Sequence, residues 1–143
     1  MIFALAAQFG WKVHQMDVKS AFFNGDLQEE VYMTQPEGYV IPGKEMMVYR
    51  LIKSLYGLKQ APRAWYIKID EHLISHGFER NPYDPNLYLK KQGGEMVIVV
   101  VYVDDLVITG SSVKMIDETK KYLKRSFDMK DLGLMHYCRG LEV

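Results

Sequence analysis

Two adjacent aspartates interrupt the most apolar stretch of the chain. Residues 97–108 read VIVVVYVDDLVI, so Asp104 and Asp105 divide a largely β-branched run into two halves. β-Branched residues favour strands, and a short polar break between two strands is typical of a hairpin. Uncompensated buried charges cost several kcal/mol each, so the fold must give both carboxylates water or a partner.

Two interpretations of this acidic pair remain open from the sequence. No lysine or arginine lies between Lys91 and Lys114, so no cation nearby in the sequence is available as a partner. A divalent cation is one solution, because Mg²⁺ prefers carboxylate oxygens. A solvated hairpin turn over 103–106 is the other, since aspartate is common in turns.

Around this hairpin, helix and strand patterns mix without a regular β-α-β rhythm, which favours an antiparallel α+β domain. A helix is expected from Pro62 to about Gly77, with Trp65, Ile69 and Leu73 on its buried stripe and Ile74 beside them. The other expected elements are helices over 2–9 and 112–126, the second capped by Ser112, and strands over 11–16, 31–34, 46–51, 87–90, 96–102, 106–109 and part of 129–143. The strands over 31–34 and 46–51 are expected to pair as an antiparallel flap.

Composition bounds the class of protein. The 143 residues correspond to about one domain, and 18 basic residues balance 18 acidic ones, so no net charge attracts nucleic acid or an anionic membrane. Cys138 is the single cysteine, which excludes an internal disulfide. The longest apolar run, 96–103, has eight residues, against roughly 20 for a membrane helix. The chain starts with an uncapped expected helix and stops within an expected strand, so we expect it to be a piece of a larger protein. No signal peptide is expected at its start.

A third carboxylate, Asp17, follows the expected strand over 11–16. One interpretation is a helix N-cap, a position that aspartate favours. The other is that Asp17 meets the 104–105 pair across a sheet. Three carboxylates at one sheet edge would suit a phosphoryl-transfer site with two metals roughly 3.5–4 Å apart.

Three segments then resemble successive motifs of reverse transcriptases: DVKSAF at 17–22, LYGLKQAPRAW at 55–65 and YVDD at 102–105. The sequences QPEGY at 35–39 and KDLG at 130–133 resemble segments of copia-type LTR retrotransposon polyproteins. The resemblance covers essentially the whole chain. It implies the palm of a right-hand polymerase over 1–24 and 61–143, with a fingers segment over 25–60, and RNA-directed DNA polymerase activity.

The resemblance also implies roles for single residues. Asp17 and Asp104 would be the first and second metal-binding carboxylates, Asp105 a third with a weaker claim, and the Val18 carbonyl a backbone ligand. The cofactor would be two Mg²⁺ ions, with Mn²⁺ as an alternative. The residues expected to contact dNTP or template-primer are Phe22, Tyr56, Gly57, Gln60, Arg63, Tyr102, Arg139 and Gly140.

Several of these residues have a second interpretation. Phe22 would be an aromatic gate that selects deoxynucleotides, whereas Phe23 and Trp65 read as core residues. Lys130 falls where a basic residue would assist pyrophosphate departure. Arg139 stands where the family usually carries an apolar residue, so it would either reach a phosphate or mark decay of an inactive copy.

Local basic clusters would supply a nucleic-acid path that the net charge does not. One cluster covers residues 44–68, which contain a single acidic residue, Glu45. Its six basic residues are Lys44, Arg50, Lys53, Lys59, Arg63 and Lys68. The other lies on the helix after Ser112 and contains Lys114, Lys120, Lys121, Lys124 and Arg125. A solvated helix face explains the second cluster equally well.

The expected partners are an RNA or DNA template-primer, dNTPs and the rest of a Gag-Pol-type polyprotein (thumb, RNase H, integrase), with no membrane. Two alternatives remain: a catalytically silent retrotransposon remnant with the same fold, and a Mg²⁺-dependent phosphohydrolase using the same carboxylates. The eleven-residue motif at 55–65 argues against the phosphohydrolase. The isolated chain is expected to show at most trace activity.

Overall fold

The computed structural model of the chain describes residues 2–138 and 141–142. The chain forms two compact units, unit 1 comprising Met1–Ala21 and Asp70–Val143, and unit 2 comprising Phe22–Ile69. In chain order the elements are α1 (Ile2–Phe9), β1 (Val13–Val18), a 3₁₀ turn (Ala21–Asn24), β2 (Asp26–Thr34), β3 (Val48–Lys53), α2 (Ala61–Ser75), β4 (Glu79–Arg80), β5 (Leu87–Gln92), β6 (Glu95–Tyr102), β7 (Asp105–Gly110), α3 (Val113–Ser126), β8 (Met129–Leu134), β9 (Tyr137–Cys138) and β10 (Leu141–Glu142).

Unit 1 is built on a six-stranded sheet with the order β4-β5-β6-β7-β1-β8. Every neighbouring pair in this sheet is antiparallel. The predicted antiparallel α+β class is therefore confirmed. The sheet also brings β1, early in the chain, between β7 and β8, which are close to its end.

One face of this sheet is the core of unit 1. Met16 on β1, Leu106 and Ile108 on β7 and Val99 on β6 are fully buried, as the period-2 alternation of strands requires. Helix α3 packs on β6, β7 and β8. Its Ile116 and Leu123 are buried, and the predicted Ser112 cap is confirmed, because the Ser112 Oγ accepts a hydrogen bond from the Met115 N–H.

Unit 2 contains the predicted flap, an antiparallel pair of β2 and β3 joined by a long loop. Gln35 organises that loop with its side-chain amide. The Gln35 Nε2 donates to the carbonyls of Lys44 at 2.6 Å and Met47 at 3.1 Å, and its Oε1 accepts from the Ile41 N–H at 2.9 Å. Three hydrogen bonds of one partly buried side-chain amide replace the regular strand pairing that Pro36 and Pro42 would interrupt.

Helix α2 follows the predicted stripe, because Trp65, Ile69 and Leu73 are all buried. Ile74 does not belong to this stripe and is 45% exposed, since it lies about 100° around the helix from Leu73. Phe23 is 46% exposed, so its assignment to the core was wrong; the 3₁₀ turn over Ala21–Asn24 buries Ala21 instead. Among the described residues, no helix combines the length and apolarity needed to cross a membrane.

Candidate active site

The 102–105 segment is a tight hairpin turn between β6 and β7. Tyr102 and Asp105 are cross-strand partners, so Val103 and Asp104 form a two-residue loop. Val103 has φ 55°, and Asp104 keeps a negative φ. These φ signs match those of a type II′ turn, whose first central residue is usually glycine. A β-branched residue with positive φ is strained, and such strain is concentrated at functional sites in proteins.

Strand β1 lies beside this turn and carries Asp17. Asp17 pairs directly with Asp105 across β1 and β7, and the Val18 N–H donates to the Asp104 carbonyl at 2.8 Å. Directly opposed residues in an antiparallel pair project from the same face of the sheet. The turn, Asp17 and Asp105 are thus brought to one place by backbone pairing, as the sequence predicted.

Asp17 itself lies inside β1 rather than after it. It pairs with Asp105 on one side and with Lys130 of β8 on the other, so the helix N-cap interpretation is wrong. The predicted strand also begins later and ends later than expected, at Val13 and Val18. Asp17, Asp104 and Asp105 are all partly buried, so each of the three residues keeps some contact with solvent.

Gln15 is a contact of the acidic site that sequence reasoning missed. Its Nε2 donates to the Asp105 Oδ1 at 2.8 Å. The signal that would have revealed it is the alternation of the strand, since Gln15 precedes Asp17 by two residues and therefore shares its face. A neutral amide has no charge pattern that marks it as part of an acidic site.

Lys130 is the cross-strand partner of Asp17 on β8. A bulge between Gln15 and Met16 sets this register, opposite the segment from Asp131 to Gly133. Lys130 is exposed. The register therefore places a cation in the strand position next to Asp17, which is consistent with the location predicted for it.

The donor set suits a hard cation that is completed by a substrate. Among the residues that the structure describes, no group of three or more His, Cys, Asp or Glu side chains is placed to hold a metal ion. Mg²⁺ is usually held by one or two carboxylates, waters and substrate phosphates rather than by an all-protein cage. Two opposed carboxylates, Asp17 and Asp105, with Asp104 in the adjoining turn fit that description. Convergence of the Asp17 and Asp104 oxygens and ligation by the Val18 carbonyl stay predictions.

The predicted nucleotide-contacting residues of unit 2 form a small aromatic group. The Tyr56 ring lies 4.6 Å from Phe22 and 5.7 Å from Phe23, measured between ring centroids. Gly57 follows with φ 94°, a conformation that favours glycine. Gln60 is partly buried and Arg63 is exposed, while Trp65 is buried as predicted. Tyr102, in unit 1, is half exposed. Arg139 and Gly140 lie outside the described residues.

The basic cluster of unit 2 is partly neutralised by its own acids. Lys53 and Lys68 both bind Asp26, the second at 2.8 Å, and Arg50 binds Glu30 at 3.1 Å. The hydrogen bonds from Lys53 and then Lys68 lower the pKa of Asp26 to about 2. Counting charges along the sequence missed these partners because Asp26 and Glu30 are on β2, opposite β3, and lie before the counted segment.

Helix α3 divides its basic residues between two environments. Lys114, Lys121, Lys124 and Arg125 are exposed. Lys120 is buried, so neither a solvated face nor a nucleic-acid path describes it. Its Nζ lies 3.1 Å from the Asp131 Oδ1 and 2.9 Å from the His14 Nδ1, which makes it part of a partly buried polar cluster between α3, β1 and β8.

Relatives of the chain are parts of much longer transposon proteins. A retrovirus-related Pol polyprotein from transposon TNT 1-94 of Nicotiana tabacum is 46% identical over 143 residues, which cover 99% of the chain and 11% of that protein. The corresponding polyprotein from transposon RE1 of Arabidopsis thaliana is 38% identical, over 100% of the chain and 10% of its own length. A transposon Ty5-1 protein of Saccharomyces cerevisiae is 37% identical over 128 residues, 90% of the chain and 42% of that protein. The chain thus spans about a tenth of the two plant relatives.

These similarities confirm the resemblance to copia-type retrotransposon polyproteins. No solved structure matches the chain. The family model for reverse transcriptase (RNA-dependent DNA polymerase) matches residues 1–143, from one end of the chain to the other. The pairing of Asp17 with Asp105 beside the acidic hairpin turn is consistent with this match. The chain belongs to the reverse transcriptase (RNA-dependent DNA polymerase) family.

Proposed function

We propose that the chain supplies the catalytic palm, with part of the fingers, of an RNA-directed DNA polymerase. The palm would comprise 1–24 and 61–143 and the fingers segment 25–60. The observation that carries the proposal is the direct pairing of Asp17 with Asp105 beside the strained Tyr102–Asp105 turn. Membership of the reverse transcriptase family favours nucleotidyl transfer over the phosphohydrolase alternative.

In this proposal the acidic site would hold two Mg²⁺ ions, with Asp17 and Asp104 as the principal ligands and Asp105 as a third carboxylate ligand. Bound divalent cations activate a primer 3′-hydroxyl and neutralise a triphosphate as pyrophosphate leaves. The chain's own contribution is to fix Asp17 and Asp105 on paired strands and Asp104 in the adjoining turn, where backbone hydrogen bonds hold their spacing before substrate binds. Such preorganisation is what positions reacting groups without a further entropic cost.

Other residues would bind and select the substrates. The Phe22 ring packs against the Tyr56 ring. It would lie under the sugar of the incoming dNTP, where a 2′-hydroxyl would clash with it. Lys130 would stabilise the leaving pyrophosphate from the strand position beside Asp17. Exposed basic residues such as Arg63 would contact phosphates, which position a template-primer without reading its sequence.

Primer extension by a Pol polyprotein that carries this chain tests the proposal. Asp104→Asn should abolish extension while template-primer binding, measured by fluorescence anisotropy, survives. The lost carboxylate stabilises charge mainly in the transition state. Asp117→Asn is the matched control, because Asp117 is exposed on α3, away from the acidic turn in the sequence. Extension at the wild-type rate by Asp104→Asn would refute the proposal, and a wild-type protein that binds template-primer without extending it would support the silent remnant.

A further inference from the structure

Gln15 holds one of the three acidic side chains of the candidate site. Its amide donates to one oxygen of Asp105 at 2.8 Å, and the contact is partly buried. Gln15 and Asp17 are two residues apart on β1 and share a face of the sheet. Asp105 therefore has a carboxylate directly across from it, Asp17, and an amide donor at the diagonal position, Gln15.

This arrangement addresses one electrostatic and one geometric problem of the site. Like charges directly opposite one another destabilise an antiparallel pair, and the cost is larger where water is partly excluded. A hydrogen bond from a neutral donor to a carboxylate offsets part of that cost without adding a competing positive charge. The same bond fixes the rotation of the carboxylate, because one of its two oxygens is committed to the amide.

We propose that Gln15 is a positioning residue for the candidate metal site, holding the Asp105 carboxylate in the orientation in which it and Asp17 serve the same divalent cation. The proposal rests on the proposed function. Residues that hydrogen-bond to a ligating carboxylate typically contribute about 10- to 100-fold to metal affinity or activity. Gln15 itself touches neither cation nor substrate in this account.

Mn²⁺ binding to the full chain, followed by electron paramagnetic resonance, tests the proposal without any need for polymerase activity. Gln15→Met keeps the length of the side chain and removes the donor. We expect its dissociation constant for Mn²⁺ to rise by about tenfold or more. Val107→Ala is the matched control, because Val107 is the cross-strand partner of Gln15 and loses packing but no hydrogen bond, so its constant should stay within twofold of wild type.

A second measurement uses the unmodified side chain. In ¹H–¹⁵N spectra, the Gln15 side-chain amide should shift when Mg²⁺ is titrated into the chain, and Asp17→Asn should remove the shift. A purely structural amide would not respond to the ion.

The outcomes separate this inference from the proposed function. If Asp17→Asn loses Mn²⁺ while Gln15→Met binds within twofold of wild type and the Gln15 amide does not respond to Mg²⁺, the positioning role is overturned and the metal site stands. If the wild-type chain binds no Mn²⁺, or Asp17→Asn binds as well as wild type, both fail. Weakened binding by Gln15→Met with unchanged Val107→Ala supports the role.

Discussion

Asp17 and Asp105 are direct cross-strand partners on β1 and β7, although they lie 88 residues apart in the chain. The pairing leaves two negative charges on one face of a sheet, one residue from a strained turn that carries a third. A sheet selected for stability alone would avoid this arrangement, since like charges directly opposite destabilise it. The cost is understandable where the charges are used together, as metal ligands are.

Phe22 is expected to control sugar selection. Phe22→Ala should raise ribonucleotide incorporation at least about tenfold relative to deoxynucleotides, which corresponds to about 1.4 kcal/mol of lost discrimination. The reason is that the alanine removes the ring that a 2′-hydroxyl would meet. Competition between a dNTP and the matching rNTP in primer extension measures the ratio.

Phe23→Ala provides the control for this prediction, because Phe23 also contacts Tyr56 but is largely exposed. It should leave the ratio unchanged. Equal ratios for Phe22→Ala and wild type would mean that Phe22 only packs against Tyr56.

The strained backbone of Val103 is expected to lower the free energy of unfolding of the chain. Positive φ costs a non-glycine residue about 1–2 kcal/mol, whereas glycine tolerates it but loses more entropy on folding, about 0.5–1 kcal/mol. Val103→Gly should therefore raise the free energy of unfolding by up to about 1 kcal/mol, measured by urea denaturation. Val107→Gly, in the middle of β7, should lower it. A clear loss of stability in Val103→Gly would show that the valine side chain contributes packing that outweighs its strain.

His14 is expected to make the chain less stable in mild acid. Burial and then the Lys120 ammonium lower the pKa of His14 below its ordinary value, while Asp131 and Asp117 act in the opposite direction. The unfolded chain thus takes up a proton on this residue first as the pH falls below about 6.5. The free energy of unfolding should decrease between pH 7 and pH 5, by at most about 1.4 kcal/mol per pH unit for this one group.

Asp131 does not contribute to the change in the free energy of unfolding between pH 7 and pH 5. Burial acts to raise the pKa of Asp131, but hydrogen bonds from the Gly133 N–H and Lys120 lower it overall, so it stays ionised in both states above pH 5. His14→Gln, which keeps an acceptor for Lys120, should flatten the pH dependence, and His136→Gln, at an exposed position, should not. Parallel curves for wild type and His14→Gln would exclude this assignment.

The elements that local patterns specify were predictable from the sequence. Local sequence patterns were sufficient to predict the strand run over 97–108, the Ser112 cap and the buried Trp65–Leu73 stripe. Alternation, capping and helical spacing each act over only a few residues. The second reverse transcriptase motif identified the family for the same reason: it is contiguous. The 104–105 pair alone favoured a solvated turn over a metal site.

Contacts set by strand pairing were harder to predict. The Gln15–Asp105 bond spans 90 residues and depends on the register of β1 with β7, which no local pattern fixes. The ion pairs of Lys53 and Lys68 with Asp26 likewise join elements that are distant in sequence. Phe23 was misplaced because an aromatic residue next to a turn has no periodicity that reveals whether it is buried.

A crystal structure of the chain with Mn²⁺ and a dNTP tests most directly whether Asp17 and Asp104 share a divalent cation, as the proposed function requires. The anomalous signal of Mn²⁺ locates the ion independently of the surrounding model. The account predicts a peak with oxygens of both carboxylates at coordination distance, about 2.1–2.2 Å, as for hard divalent cations with carboxylate ligands. Carboxylate oxygens more than about 8 Å apart, too far for even a metal pair about 4 Å across to bridge, would contradict it.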